Sequence, residues 1–171
     1  KDNQEIIFED EIKINNVSFQ YSANNFLLTE INLKIKKGTT LGIIGKSGTG
    51  KSTFLNIFTG LLKPTKGNIS VDGADISNSM ISWRKKLGYV SQEIFLLDSS
   101  IGENVAFGIS KENIDFNRVK KCISLAELDT YIDQLNDGLD TMVGEKGVRI
   151  SGGQRQRLGL ARALYNEPDI L

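Results

Sequence analysis

Residues 45–53, with the sequence GKSGTGKST, have the residue types and spacing that a phosphate-binding loop requires. Gly45 and Gly50 enclose four residues and are followed by lysine and serine, which is the P-loop pattern. Glycines let backbone N–H groups curl around phosphate oxygens, and a helix that begins here adds free donors. Lys51 would reach the β- and γ-phosphates, and the Ser52 hydroxyl would ligate Mg²⁺. The candidate nucleotide ligands are Gly45, Lys46, Ser47, Gly48, Thr49, Gly50, Lys51, Ser52 and Thr53.

A second glycine cluster, ISGGQ at residues 150–154, lies far downstream of the first, although one nucleotide needs only one phosphate loop. Ser151 offers a hydroxyl, and Gly152 and Gly153 expose backbone N–H groups at the start of a predicted helix. Together these groups could form a second anion site. The alternative is a helix cap followed by glycines that allow close packing. The residues alone leave both interpretations open.

The bulk composition excludes several classes of function. Lys plus Arg and Asp plus Glu number 21 each, so there is no electrostatic case for a nucleic-acid or anionic-membrane surface. Histidine is absent, which removes histidine bases and metal ligands, and the single cysteine, Cys122, cannot form an intramolecular disulfide. No apolar run approaches the roughly 18–20 residues that span a bilayer. The chain starts without Met, and we expect an excerpt of a longer polypeptide that carries a cytosol-type α/β domain.

The hydropathy pattern places strands and helices around the two glycine clusters. Residues 1–10 are charged and aperiodic, and they are predicted as a tail or linker. Strands are predicted at 12–21 (with a bulge near Asn15–Asn16), at 31–36, at 41–44 (buried on both faces), at 68–73 (ending in an Asp-Gly turn) and at 87–92. Helical spacing runs from residue 51 to about 62, over 101–135 and over 152–165. Strand, loop and helix in this order favour a phosphate site at 45–53 over a glycine-rich turn without a ligand.

Taken together, the motifs resemble those of one family. Residues 45–53, Gln92 and ISGGQRQR occur in an order similar to that in the nucleotide-binding domain of an ATP-binding cassette (ABC) transporter. ISGGQRQR resembles the family signature LSGGQ, with Ile150 in place of Leu, and the resemblance runs from about Ile12 to the last residue. It implies an α/β domain over residues 11–171, with a P-loop NTPase (RecA-like) core, an N-terminal antiparallel β-subdomain and an inserted α-helical subdomain at about 99–155.

The same resemblance gives the second glycine cluster a role. In this family two such domains pack head to tail, and the signature of one domain caps the nucleotide held by the phosphate loop of the other. This implies ATP and Mg²⁺ as cofactors and a second nucleotide-binding domain, in a homo- or heterodimer, as partner. The partner's ATP would be contacted by Ser151, Gly152, Gly153 and Gln154. The implied catalytic residues are Lys51, Gln92 and Ser151, and the implied metal ligands are Ser52 and Gln92.

Two single residues outside the glycine clusters also have family counterparts. Tyr21 takes the place of the aromatic residue that stacks on adenine, and its alternative is a strand residue on the apolar face. Gln92 takes the place of the glutamine that ligates Mg²⁺ or the attacking water and senses the membrane partner. Its alternative is a solvated loop amide. Exporters usually have Pro two residues later, where this chain has Ile94, and this difference would alter the stiffness of the loop.

Two stretches are similar to the exporter subclass. FLLDSSIGENVAFG at 95–108 resembles the exporter pattern of a hydrophobic pair, Thr/Ser-Ile and Glu-Asn, and TMVGEKG at 141–147 resembles the loop before the signature. Glu145 takes the place of the glutamate that contacts the coupling helices of the membrane domain, and the alternative is a solvated Glu145–Lys146 charge pair. The implied partner is a transmembrane domain, fused or separate, reached through Glu145 and the Gln92 region at the cytoplasmic face of the membrane. No nucleic-acid partner is expected.

The family pattern includes parts that this span lacks. The Walker B strand ending in Asp, the adjacent Glu that polarises water and the switch His are missing, since Asp169 precedes the apolar strand expected from Ile170. We therefore expect an ATPase in the intact protein but ATP binding without efficient hydrolysis by these residues alone. We also expect the strand at 41–44 to lack neighbours, because C-terminal strands of the core are missing. The alternatives are a soluble cassette ATPase acting on DNA or ribosomes, a non-hydrolysing nucleotide-dependent interaction module and a small-molecule P-loop kinase.

Overall fold

A computed structural model of the chain describes residues 5–22, 25–145 and 150–171. The chain divides into two compact units, Lys1–Lys85 and Lys86–Leu171, and each contains its own buried apolar side chains. No helix within the described ranges has both the length and the apolar character needed to cross a bilayer.

The first unit contains a four-stranded antiparallel sheet in the order β2-β1-β3-β4. Its strands are β1 Glu11–Ser22, β2 Asn25–Lys36, β3 Lys66–Val71 and β4 Ala74–Asp75. Ile12 and Ile14 of β1 lie in the core, as the apolar alternation predicts. The predicted bulge is confirmed by a register shift after Ile14 and by a φ of 46° at Asn16. The predicted hairpin turn is confirmed by positive φ angles of 47° at Asp72 and 87° at Gly73.

The N-terminal segment is packed against this sheet unit rather than free. Ile6 and Phe8 are only 1% and 6% exposed. The Asp72 carboxylate accepts hydrogen bonds from three successive backbone N–H groups, those of residues 9–11, which fixes the segment at the β3–β4 turn. The segment therefore contacts the first unit from Ile6 onward, whereas the sequence predicts a tail or linker over residues 1–10. The apolar side chains find their partners far along the chain, and the local charge pattern does not reveal this.

Two short helices complete the first unit. They are α1 Lys51–Phe58 and α2 Met80–Lys85, with a 3₁₀ turn at Ile76–Asn78 before α2. Trp83 of α2 is fully buried and donates its indole N–H to the Phe58 carbonyl at 2.7 Å. The two rings meet edge-on with centroids 5.4 Å apart. Trp83 therefore holds the C-terminal end of α1, whose N-terminal end carries the phosphate loop.

The segment 41–44 is not the doubly buried strand that its apolar sequence predicts. The segment does not form a strand, and Leu41, Ile43 and Ile44 are 44%, 40% and 96% exposed. An apolar strand is buried on both faces only when it lies inside a sheet that is covered on both sides. None of the described strands pairs with this segment, which agrees with the expectation that it lacks neighbours within this span.

The second unit is mainly helical, as the periodicity over residues 101–135 and 152–165 predicts. Its elements are β5 Ser99–Ser100, α3 Ile101–Val105, a 3₁₀ turn Lys111–Asn113, α4 Phe116–Leu125, α5 Asp129–Asp133, a 3₁₀ turn Gly138–Asp140, β6 Met142–Val143 and α6 Gly152–Leu164. Strands β5 and β6 pair antiparallel, which the sequence did not indicate. The core lies between α3, α4 and α6 and includes Ile101, Val105, Val119, Cys122, Leu158 and Ala161.

The strand predicted at 87–92 is observed only as a single β-bridge. Leu87 pairs in parallel with Ile170, and the Gly88 N–H donates to the Ile170 carbonyl at 2.7 Å. Over the described residues the pairing is limited to this one bridge. The prediction is corrected for this reason: an apolar run becomes a strand only over the length for which a partner strand lies beside it.

Candidate phosphate-binding sites

The phosphate loop in the first unit has a backbone that only glycine adopts easily. Gly48 and Gly50 have φ angles of 81° and 92°, in the left-handed region. At Gly45, a Cβ atom would lie 2.9 Å from the Thr49 Oγ1, so the loop also closes too tightly for a side chain there. Helix α1 begins directly after Gly50, which supplies no side-chain cap. The N–H groups of the first turn of α1 are therefore left for an external acceptor.

Lys51 places its ammonium group inside this loop. Its Nζ donates to the carbonyl of Gly45 at 2.8 Å and to the carbonyl of Lys46 at 2.7 Å. The adjacent Ser52 is exposed and can offer its hydroxyl. This donor set, an ammonium and open N–H groups with no carboxylate in the loop, fits a polyanion such as a triphosphate.

Tyr21 lies beside the same loop in the first unit. Tyr21 is 69% exposed, and its hydroxyl lies 3.2 Å from the Oγ1 of Thr53 in α1. The ring of Phe19 contacts it edge-on, with centroids 4.8 Å apart. Tyr21 is thus held next to the phosphate loop with much of its ring accessible to a planar ligand. The alternative, a strand residue buried on the apolar face, does not fit this exposure.

The second glycine cluster begins helix α6. Ser151 is the cap residue: its Oγ accepts the Gln154 N–H at 3.2 Å, and the Gln154 Oε1 accepts the Ser151 N–H at 2.9 Å. This reciprocal pair is a capping box. At Gly152 and Gly153 a Cβ atom would meet nothing within 4 Å. The helix cap of the alternative interpretation is therefore present, whereas no described residue packs closely against the two glycines.

Gln92 lies in the second unit, next to α6. Its side chain is exposed, and its carbonyl accepts a hydrogen bond from the Nε2 of Gln156 at 3.1 Å. Ile94, two residues on, is buried against Gly159, where a Cβ atom would lie only 2.5 Å from the Ile94 Cδ1. A cavity of ≈ 530 Å³ separates part of this loop from the helix, and its lining is Gln92, Glu93, Ile94, Phe95, Gly152, Arg155 and Gln156.

The predicted site residues thus fall into two groups. Tyr21 and the phosphate loop lie together in the first unit, and Gln92 lies beside the signature helix in the second. Glu145 is exposed just after β6, and the predicted Glu145–Lys146 pair cannot be placed, because residues 146–149 lie outside the described ranges. Within those ranges, no three His, Cys, Asp or Glu side chains are grouped to hold a metal ion.

Sequence reasoning missed one polar pair in the second unit, a buried asparagine and a half-buried arginine. Asn104 is fully buried and is hydrogen-bonded to Arg162 of α6, with 2.8 Å between the arginine Nε and the Asn104 carbonyl. The available signal was an asparagine and an arginine set among apolar neighbours, in NVAF and LARAL. A buried polar side chain is retained only when its hydrogen bonds are made, so such positions predict a network.

Comparison with known proteins identifies the family. The ABC transporter family model matches residues 28–171. ABC transporter B family member 21 of Arabidopsis thaliana is 42% identical over 164 residues, which are 94% of this chain and 12% of that protein. The leukotoxin translocation ATP-binding protein LktB of Mannheimia glucosida is 40% identical over 163 residues, which are 94% of this chain and 23% of that protein.

A solved structure agrees with these matches. A bacterial Atm1-family ABC exporter with ATP bound superposes with a TM-score of 0.85 and 32% identity, over 96% of this chain and 29% of that one. The chain belongs to the ABC transporter family. It spans between 12% and 29% of the length of these three proteins.

The family resemblance predicted from the two glycine clusters is thereby confirmed. The coarse fold is confirmed with it: an ABC ATPase domain with a P-loop NTPase fold, mixed α/β content and an antiparallel sheet. Because the similar proteins include a translocation ATP-binding protein and an ABC exporter, the alternatives of a soluble cassette ATPase and a non-hydrolysing module are not favoured.

Proposed function

We propose that this chain is the ATP-binding domain of an ABC exporter, which in the intact protein binds Mg-ATP, dimerises head to tail and couples hydrolysis to transport across a membrane. One observation carries the proposal. The phosphate-loop glycines are required by the chain's own backbone, whereas at Gly152 and Gly153 an added Cβ atom would meet no described residue within 4 Å. The first cluster supports a nucleotide bound by this chain, and the second supports a ligand presented by another molecule.

In the proposed site, Mg-ATP supplies the phosphoryl group whose transfer to water drives the transport cycle. Lys51 neutralises charge on the β- and γ-phosphates, and the N–H groups of the first turn of α1 bind phosphate oxygens. By the family resemblance, Ser52 and Gln92 would hold Mg²⁺, and Gln92 would also orient water. Tyr21 stacks on the adenine ring. The support for these roles is the donor set around Lys51 and the exposure of the Tyr21 ring.

The proposed partner at the signature is a second nucleotide-binding domain, in a homodimer or a heterodimer. Ser151, Gly152, Gly153 and Gln154 would contact its ATP from the start of α6. A Ser151 hydroxyl that already accepts the Gln154 N–H can still donate to a phosphate oxygen, because a hydroxyl has one donor and two lone pairs. Nucleotide binding would close the dimer and hydrolysis would release it.

The proposed membrane partner is a transmembrane domain, fused or separate, at the cytoplasmic face of the membrane. It would contact the Gln92 region and Glu145. The support is their exposure together with that of Phe95, which is 74% exposed beside Gln92. With equal numbers of acidic and basic residues, no nucleic-acid partner is proposed. We propose that the nucleotide-binding domain spans residues 11–171 and that its helical subdomain spans about 99–155.

A complementation experiment with the intact protein tests this proposal. Lys51→Met disables a phosphate loop, and Gly153→Asp places a carboxylate where the signature would meet a phosphate. In a head-to-tail dimer of one Lys51→Met subunit and one Gly153→Asp subunit, one site carries both defects and the other carries neither. We therefore expect each variant alone to be inactive and the mixture to regain steady-state ATP hydrolysis, in proportion to the fraction of mixed dimers.

The outcomes separate the proposed function from its rivals. If the mixture stays inactive while wild-type protein hydrolyses ATP, the signature acts within its own chain and the head-to-tail proposal is wrong. If wild-type protein binds ATP tightly but shows no turnover at any protein concentration, a non-hydrolysing module replaces the ATPase.

A further inference from the structure

Arg162 of α6 joins three segments of the second unit. Its Nε donates to the Asn104 carbonyl at 2.8 Å, its Nη2 to the Asn104 Oδ1 at 3.0 Å and its Nη1 to the Phe95 carbonyl at 2.8 Å. Its guanidinium also lies 4.9 Å from the centroid of the Phe107 ring. One side chain therefore ties the loop after Gln92 and the end of α3 to the helix that begins at the signature.

Asn104 extends this connection along the loop. Its Oδ1 accepts the Leu97 N–H at 2.9 Å, and its Nδ2 donates to the Leu97 carbonyl at 3.1 Å and to the Ser100 carbonyl at 3.0 Å. Asn104 is fully buried. The loop backbone is thus held at residues 95, 97 and 100 by a network that has Arg162 at its centre. A network of this kind is rigid only when every member is satisfied.

The loop and α6 meet at three points spaced three residues apart on the helix. The Gln156 side chain donates to the Gln92 carbonyl, Gly159 receives the Ile94 side chain, and Arg162 donates to the Phe95 carbonyl. Residues at i, i+3 and i+6 follow one side of a helix. The segment from Gln92 to Phe95 therefore runs alongside α6, away from the end that carries the signature.

The contacts of Arg162 indicate that its side chain orients neighbouring groups rather than forming an ion pair. Its three hydrogen-bond acceptors are neutral oxygens, and burial lowers the pKa of the guanidinium. A charge that is desolvated without an opposite charge adds little to stability. A planar guanidinium with five fixed donors does, however, set the positions of several acceptors at once, which a lysine ammonium cannot do.

We propose that Arg162 is a positioning residue that locks the Gln92–Leu97 loop onto α6, so that Gln92 and the signature move as one body. The inference rests on the proposed function, because it gives Gln92 and Ser151 their roles in nucleotide turnover. A membrane partner that displaces the loop would then also displace the signature, because the loop could not absorb the movement by flexing. Arg162 itself would touch neither nucleotide nor metal.

The test uses the intact protein with Arg162→Gln, Arg162→Lys and a control, Arg157→Ala. Arg157 lies on the same helix but contacts Glu127 rather than the loop. Amide hydrogen exchange is measured for Leu97 and Ser99 and, as a reference, for the amides of α4. Steady-state kinetics then give kcat and KM for ATP. Exchange reports the position of the loop whether or not the protein hydrolyses ATP, so the two readouts are independent.

We expect Arg162→Gln to speed exchange at Leu97 and Ser99 by about tenfold or more, with little change in α4, because the loop opens locally. The kcat should fall by about 10- to 100-fold, as misplaced catalytic groups do, while KM for ATP stays within about twofold because the phosphate loop is untouched. Arg162→Lys, which keeps the charge but not the fork, should be intermediate on both readouts, and Arg157→Ala should match wild type.

Two results would overturn the proposal. The first is unchanged exchange at Leu97 and Ser99 in Arg162→Gln. The second is faster exchange that spreads to α4 or rises equally in Arg157→Ala, since either pattern means general destabilisation. If wild-type protein lacks ATP hydrolysis, the proposed function fails, and the positioning role is then decided by exchange alone.

Discussion

Helices α1 and α6 both begin on glycine-rich segments, yet the glycines differ in what they do for the chain. In the phosphate loop, Gly50 has a φ of 92°, and a Cβ atom there would lie 2.8 Å from the Leu28 Cδ2. At the signature, Gly152 and Gly153 lack a positive φ, and an added Cβ atom would meet none of the described residues within 4 Å. The phosphate loop is therefore shaped by contacts within its own unit, whereas the signature glycines leave a surface free.

The caps of the two helices differ in the same sense. No side chain caps α1, so its first turn keeps N–H groups for a ligand. At α6, Ser151 and Gln154 already satisfy one another. The phosphate loop can therefore hold a ligand by itself, whereas the N-terminus of α6 is already capped and leaves a surface that a ligand can approach closely. The two sites should then respond differently to substitution.

The largest effect should come from the phosphate loop. Lys51→Met removes an ammonium that lies among the loop carbonyls, and each charge-assisted hydrogen bond to a phosphate is worth about 1.5–3 kcal/mol. We expect ATP affinity to fall by about 100-fold or more, measured by titration calorimetry. Lys63→Met, an exposed lysine outside the loop, is the matched control and should bind ATP like wild type. Equal loss in both variants would show a non-specific charge effect.

Gly153→Ala should lower the rate of ATP hydrolysis without lowering the stability of the chain. The site has room for a Cβ atom in this chain, and alanine is a better helix former than glycine, so the free energy of unfolding should stay the same or rise by up to about 1 kcal/mol. ATP affinity measured by titration calorimetry should not change. The hydrolysis rate of the dimeric protein should nevertheless fall by about tenfold or more, because a methyl group stands where the partner's phosphate approaches.

A fall in both stability and activity for Gly153→Ala would mean that the chain itself needs this glycine. Full activity would mean that nothing approaches it. Either result removes the contrast between the two glycine clusters.

Gly50→Ala, unlike Gly153→Ala, should lower the stability of the chain itself. A non-glycine residue in the left-handed region costs about 1–2 kcal/mol, and contact with Leu28 adds to this. We expect urea denaturation to give a free energy of unfolding lower by about 1–3 kcal/mol. Gly42→Ala is the matched control, since Gly42 has neither a positive φ nor a close neighbour. Wild-type stability in Gly50→Ala would mean that the loop relaxes without cost.

Local features were predictable from the sequence because they are encoded in adjacent residues. The bulge at Asn16, the Asp72-Gly73 turn and the start of α6 at Ser151 each depend on a few neighbouring side chains and φ angles. The order of the two glycine clusters and Gln92 led to the family that the family model confirms.

Features that need distant partners were not predictable in the same way. Ile6 and Phe8 are buried because Asp72, more than 60 residues away, holds their segment in place. The apolar segment 41–44 lies exposed because burial of a strand depends on neighbours, and no property of its own residues supplies them. The Arg162–Asn104 network likewise joins residues 58 apart.

The smallest effects compare two capping boxes of similar geometry. Ser100 and Glu103 form at α3 the same reciprocal pair that Ser151 and Gln154 form at α6. Ser100→Ala and Ser151→Ala should each lower the free energy of unfolding by about 1 kcal/mol at pH 7. Only Ser151→Ala should lower ATP hydrolysis. Loss of hydrolysis in both variants would show that any weakened helix start is enough, and the signature would then have no special role for Ser151.

The two boxes should also differ in pH dependence. Hydrogen bonds from the Ser100 N–H and from the Ser100 side chain hold the pKa of Glu103 below its ordinary value. Ser100→Ala removes the side-chain part, whose contribution to stability is present above about pH 4.3 and is lost as the pH falls through the lowered pKa. Gln154 does not titrate. We expect the stability cost of Ser100→Ala, measured by urea denaturation at pH 7 and again below pH 4, to shrink on acidification. The stability cost of Ser151→Ala should not change with pH, because the neutral amide of Gln154 does not titrate. If the stability costs of both substitutions fall in parallel on acidification, the acid effect lies elsewhere in the second unit.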